Sequence, residues 1–141
     1  MENNKPVQPF NSRVILGIIV GGGIFVAIML LFAGTAITAG WIRYEAGGRL
    51  NLTPWSVLEI IGGVPASIFA GNVCMRISRR KSAVTILAFL ILVFGILETV
   101  ELYRFISSGS GYAPMSLVIL APFVATIGIL NGGWRLKNSW K

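Results

Sequence analysis

The sequence predicts an all-α integral membrane protein, a four-helix bundle with both termini in the cytoplasm, from its composition and from its apolar stretches. Apolar residues make up 55% of the 141 residues and charged residues 12%, about half the charged share of a soluble domain. A helix needs about 20 mostly apolar residues to cross a bilayer. Four stretches reach this length: residues 14–40, 55–75, 82–106 and 112–134. Backbone inside lipid must satisfy its own hydrogen bonds, so these stretches are predicted to be helices.

The four stretches predict a single transmembrane domain, residues 14–134, between two short tails, residues 1–13 and 135–141. The first stretch also has the position of a cleavable signal peptide. Its apolar run is longer than the roughly 7–15 residues of a signal h-region, so we interpret it as a retained span.

The basic residues predict the orientation. Nine of the twelve lysines and arginines lie in the two tails and in the loop between the second and third stretches. Such residues accumulate on the cytoplasmic side of short loops, which predicts cytoplasmic termini and favours a bacterial inner membrane. The net charge of +7 therefore indicates topology and not nucleic-acid binding, which would need a soluble basic surface. The basic loop is also a candidate contact for anionic lipid, through Arg76, Arg79, Arg80 and Lys81.

Small residues predict where the helices pack, because they let helix backbones approach closely in lipid. The first, second and fourth stretches are rich in them, whereas the third is bulky. We therefore expect the first, second and fourth to pack tightly, and the third to face lipid or another subunit. The predicted packing residues are Gly17, Gly21, Gly62, Gly63, Ala66, Gly71, Gly128 and Gly132.

Acidic residues within the predicted spans are candidates for function, because an ionisable group in a membrane is costly unless it is paired or hydrated. Glu59 and Glu98 fall at similar depths in the outer half, and Glu101 follows Glu98 on the same helix face. Arg104 follows Glu101 by three residues, and Arg43 and Arg49 in the first outer loop are further candidate partners. The cluster is either a shallow site for a cation or a proton, or a network that ties an outer loop to helix ends.

The remaining composition limits the chemistry. The chain has no histidine and no aspartate, and Cys74 is its one cysteine. These absences argue against metal sites, cofactors and nucleophilic catalysis, although a glutamate can serve as a general base. We therefore expect a non-catalytic structural or accessory subunit that assembles with itself or with another membrane protein. The alternative is a small ion- or proton-coupled transporter or channel that uses the glutamate cluster.

Overall fold

The computed structural model describes the backbone of residues 12–138 and the side chains of residues 12–135. Within that range the chain forms four helices and one small three-stranded sheet. In chain order, the elements are α1 Ser12–Thr38, β1 Arg43–Tyr44, β2 Leu50–Asn51, α2 Thr53–Ser78, α3 Lys81–Ser107, β3 Gly111–Tyr112 and α4 Met115–Asn138. Most of the two predicted tails, with the basic side chains of Lys5, Lys137 and Lys141, lies outside the described residues.

The four predicted apolar stretches are confirmed as helices, each long and apolar enough to cross a membrane. Their ends differ slightly from the prediction. The second helix continues past Arg76 to Ser78. The fourth begins at Met115 and not at Tyr112, because Tyr112 pairs in a strand. Pro114 then precedes the helix, and its carbonyl accepts hydrogen bonds from the Leu117 and Val118 amides.

The small sheet joins two loops at one end of the bundle. The strands β1 and β2 pair antiparallel within the loop between α1 and α2, and β3 adds in parallel to β2 from the loop between α3 and α4. We call this end the cap end. At the opposite end, which we call the turn end, α2 and α3 are separated by Arg79 and Arg80 alone.

A central pair of helices, α2 and α4, is the best-buried part of the bundle. A Cβ atom at Gly71 would lie against the backbone of Ile129, and one at Gly132 against the backbone of Ile68. A Cβ atom at Gly128 would overlap the Ser67 side chain. These three positions therefore set the close approach of the two helices.

The outer helices α1 and α3 flank the central pair. Helix α1 packs on α2, where a Cβ at Gly17 would lie 2.9 Å from the Cys74 carbonyl oxygen and one at Gly21 would lie 3.0 Å from the Ala70 carbonyl oxygen. The Phe32 ring of α1 covers Gly62, where a Cβ would come within 2.8 Å of it.

Helix α3 packs chiefly on α4. A Cβ at Gly95 would lie 2.5 Å from Pro122 Cβ. Near this contact, the Thr99 hydroxyl donates to the Gly95 carbonyl within α3 and lies 3.3 Å from the Val118 carbonyl of α4.

The expected division between a tightly packed first helix and an exposed third helix is not what the structure has. Within the most apolar window of each helix, 17% of residues are buried in α1, 22% in α3, and 39% in both α2 and α4. Glycine-rich α1 uses only one face, since a Cβ atom at Gly23 or at Gly34 would have no neighbour within 4 Å. Small residues permit close packing but do not say how many sides of a helix are covered.

The core lies near the turn end. Its buried residues come from the first turns of α1 and α3 and from the last turns of α2 and α4, and they include Leu87 and Ile129. In α3, Ala83, Val84, Leu87 and Ala88 are buried, whereas no later residue of this helix is. Helix α3 is therefore buried only in its turn-end half, whereas Ala36, Leu52 and Val118 of other segments are buried near the cap end.

Candidate functional site

The two carboxylates within the helices, Glu59 and Glu98, lie close enough to interact electrostatically. With a rise of about 1.5 Å per residue, Glu59 lies about 9 Å into α2 from its cap end, and Glu98 lies about 14 Å into α3 from that end. Glu59 is half-buried and Glu98 is exposed on the bundle surface. Among residues 12–138, neither side chain has a hydrogen-bond or ion-pair partner.

Open space lies beside Gly63, on the face of α2 that also carries Glu59. Gly63 follows Glu59 by one helical turn, and its backbone is buried, yet a Cβ there would meet nothing within 4 Å. On α3, Phe94 precedes Glu98 by one turn and is 65% exposed. Leu87 lies on the same face nearer the turn end, where it is buried against Gly21 of α1. We call the surface that carries Glu59 and Gly63 of α2 and Phe94 and Glu98 of α3 the cap-half groove.

The other three residues of the predicted cluster, Glu101, Arg104 and Arg43, are not part of the cap-half groove. Arg104 donates to the Glu101 carboxylate at 2.8 Å, and the two side chains are 70% and 71% exposed. Arg43 is exposed in β1 and, within the part of the chain that the structure describes, pairs with none of the three glutamates. The structure thus brings Glu59 and Glu98 together, and it pairs Glu101 with Arg104 separately.

The acidic residue that ties the loops together is Glu45, which the sequence reasoning missed. Its carboxylate accepts hydrogen bonds from the Tyr112 hydroxyl and from Asn51 Nδ2, the latter at 3.2 Å. The bond from Tyr112 connects the loop after α1 to the loop after α3. The hydrogen bond to Glu45, with smaller effects of desolvation and of the carboxylate charge, raises the pKa of Tyr112. An isolated glutamate in a glycine-rich loop gives no pattern by which this role could be found.

The predicted lipid-contact residues gather at the turn end. Arg76 and Arg79 are exposed, and Lys81 Nζ lies over the Trp134 ring, 5.7 Å from its centroid. Arg80 is half-buried and takes part in a further interaction. Of the acidic residues within 12–138, none lies at this end, because Glu45 and Glu101 are at the cap end and Glu59 and Glu98 are in the cap half.

The predicted packing residues also differ in their surroundings. Ala66 is 2% exposed on α2. Gly17, Gly21, Gly62, Gly71, Gly128 and Gly132 all make close approaches, whereas Gly63 faces the cap-half groove. The described residues contain no group of three or more histidine, cysteine, aspartate or glutamate side chains that could hold a metal ion.

Comparison of the chain with protein-family models, with curated proteins and with solved structures gives no match. The function is therefore argued from the fold and the groove alone.

Proposed function

We propose that this protein is a non-catalytic membrane subunit that assembles, along its cap-half groove, with another copy of itself or with a second membrane protein. The observation that supports the proposal is the presence of two neighbouring carboxylates, Glu59 and Glu98, that lack partners within residues 12–138.

The cost of such groups in lipid supports assembly. An acidic side chain at the centre of a spanning helix costs about 2.5–3.5 kcal/mol on insertion scales, and such groups nearly always face a bundle interior, a partner or water. Glu98 is exposed beside Phe94 and has no hydrogen-bond donor among the described side chains. A neighbouring helix that carries an amide or a cation would cover it and donate to it.

The test is photocrosslinking in native membranes, with p-benzoylphenylalanine in place of Phe94. Phe89 provides the control, because it is similarly exposed at 62% but lies roughly two and a half turns from Glu98, on the opposite face of α3. We expect Phe94 to give a defined protein adduct, identified by mass spectrometry as this chain or as another protein, and Phe89 to give none.

A second substitution tests whether formation of the crosslinked adduct depends on the Glu98 carboxylate. Glu98→Leu in the Phe94-labelled protein should reduce the adduct, since the partner's donor loses its acceptor. Equal labelling at both positions, or labelling of lipid alone, would contradict assembly along this groove.

The proximity of Glu59 and Glu98 also favours a second candidate, uptake of a proton or a cation at the groove. Two carboxylates that face one opening can share a proton or a cation. In proteoliposomes, Glu59→Gln or Glu98→Gln would then abolish flux while leaving assembly intact. The subunit proposal instead expects no flux from the unaltered protein and loss of the crosslink from the altered one.

The orientation and location belong to the same proposal. We place the turn end and both termini at the cytoplasm of a bacterial inner membrane, since nine of twelve basic residues lie in the two tails or in the connection between α2 and α3. Fusions of a cytoplasmic fluorescent reporter and of a periplasmic phosphatase to the C-terminus test this. Fluorescence without phosphatase activity is expected, and the reverse pattern would overturn the orientation.

A further inference from the structure

The turn end carries an exposed basic surface, which we define by Arg76, Arg79 and Lys81. The three side chains are exposed, and they come from the last turn of α2, the connecting turn and the start of α3. Trp134 of α4 lies beneath Lys81 and is 48% exposed. A half-exposed tryptophan at a helix end is typical of the level where lipid headgroups begin.

The left-handed backbone conformation of Arg79 is a second observation, independent of the exposed charges. Arg79 has a φ of 55°, and among the described residues it is the one non-glycine with positive φ. Its amide caps α2 by donating to the Met75 carbonyl at 2.8 Å. Glycine is the residue that usually ends a helix in this way, since a side chain in the left-handed region costs about 1–2 kcal/mol. The sequence has an arginine here in spite of this cost.

The start of α3 also lacks negative side chains that could offset the basic surface. Its first turn contains no acidic residue, and its N-cap, Arg80, provides no side-chain hydrogen bond to the helix amides. The positive end of the α3 dipole and the negative end of the α2 dipole meet at this turn, so the excess positive charge comes from the basic side chains, with no carboxylate to offset it. This end of the molecule favours an anion at the headgroup level.

We propose that the basic surface of Arg76, Arg79 and Lys81 binds the phosphate of an anionic phospholipid. Arg79 is the central residue because it lies in the tight turn, between the other two along the chain. The Ser78 hydroxyl donates to the Cys74 carbonyl at 2.7 Å and accepts from the Arg80 amide at 3.3 Å, which fixes the turn. The ligand bears one negative charge or more, lies within the membrane surface and touches the protein near Trp134.

The test uses Trp134 as a reporter. The protein retains this one tryptophan after Trp41→Phe, Trp55→Phe and Trp140→Phe, and it is reconstituted in phosphatidylcholine vesicles. A fixed fraction of the lipid carries brominated chains, on either phosphatidylglycerol or phosphatidylcholine. We expect stronger quenching of Trp134 by the brominated anionic lipid, and we expect added salt to reduce the difference.

Three variants separate the specific site from the general charge of the protein. Arg79→Gly suits the left-handed backbone, so it should fold, and it should weaken the preference for anionic lipid about fivefold, the effect of one charge near a membrane surface. Arg79→Lys should retain most of the preference. Arg49→Gln removes one charge at the cap end and should change nothing. Equal quenching by the two lipids, or an equal loss in Arg49→Gln and Arg79→Gly, would overturn the proposal.

Discussion

Gly71 is the residue at which the central helix pair depends most on the absence of a side chain. A Cβ atom there would lie against the backbone of Ile129, which cannot move aside as a flexible side chain could. Gly63 lies two turns earlier on the same helix and has open space around it. The two glycines therefore form a matched pair for measuring what close approach contributes.

We predict that Gly71→Ala destabilises the protein by about 1–3 kcal/mol, as overpacking of a close contact does. Gly63→Ala should be neutral or stabilising by up to about 1 kcal/mol, since alanine is the better helix former. Unfolding in detergent, followed by circular dichroism against the fraction of sodium dodecyl sulfate, measures both. Indistinguishable midpoints for the two variants would show that α2 and α4 do not approach closely at Gly71.

The hydrogen bond between Tyr112 and Glu45 predicts that the protein loses stability at high pH. Because this bond raises the pKa of Tyr112, the folded state holds the phenol proton more tightly than the unfolded chain does. The bond's contribution to stability is therefore complete below the ordinary tyrosine pKa of about 10 and is lost as the pH rises through the raised value.

An ultraviolet absorbance titration measures this shift, with Tyr112→Phe subtracted to remove the signals of Tyr44 and Tyr103. The Tyr112 midpoint should lie above the ordinary value, and Glu45→Gln should lower it by removing the acceptor's charge. A Tyr112 midpoint that Glu45→Gln does not lower would contradict the hydrogen bond.

Among single residues, the sequence identified Glu59 and Glu98 but not Glu45. An acidic residue is conspicuous inside an apolar stretch and inconspicuous in a loop, so only the first kind is found from hydropathy. Glu45 gains its role from Tyr112, which is distant in the sequence and becomes its neighbour through the pairing of β2 with β3. A long-range contact of this kind has no local signature.

The connection between α2 and α3 is the element whose sequence fits its backbone least well. Arg79 adopts the left-handed conformation that glycine prefers, whereas Arg76, one turn earlier, is helical. Both residues are exposed and carry the same charge. Replacing each by glycine therefore separates the backbone effect from the charge effect.

We predict that Arg79→Gly stabilises the protein by about 1 kcal/mol, by relieving the left-handed side chain. Arg76→Gly should destabilise it by about 1 kcal/mol, the cost of glycine inside a helix. Thermal unfolding in a neutral detergent gives both differences without a contribution from anionic lipid. If Arg79→Gly proved as destabilising as Arg76→Gly, the turn would not hold Arg79 in the left-handed region.

The helices could be predicted from the sequence, and the strands could not. Four long apolar runs require helices in lipid whatever their neighbours are, so hydropathy was sufficient for α1 to α4. The strands contain two residues each, which is too short for an alternating pattern. The exposure of α1 was also missed, because its glycines indicate that helices can approach without indicating how many of them do.

A buried cluster lies at the turn end of the bundle, and helix α3 is buried only at that end. Leu87 is 2% exposed in that core, whereas Leu97, on the same helix but toward the cap end, is 57% exposed. The two leucines have the same chemistry and the same helical backbone, so they report on packing alone.

We predict that Leu87→Ala destabilises the protein by about 2 kcal/mol, at the low end for a buried leucine in a soluble protein because lipid tails give little reward for burial. Leu97→Ala should change stability by less than about 0.5 kcal/mol. The same detergent titration measures both. Equal losses at the two positions would show that the core extends to the cap end.

The parallel pairing of β2 with β3 has a consequence for biosynthesis. Leu50 and Asn51 lie early in the chain, but their partners Gly111 and Tyr112 leave the ribosome only after α3 has been made. The first two helices are therefore synthesised before β2 has its parallel partner and before Glu59 has Glu98 as a neighbour. The third strand can complete the sheet only after α3 has been synthesised, so the two loops join late in the synthesis of the chain.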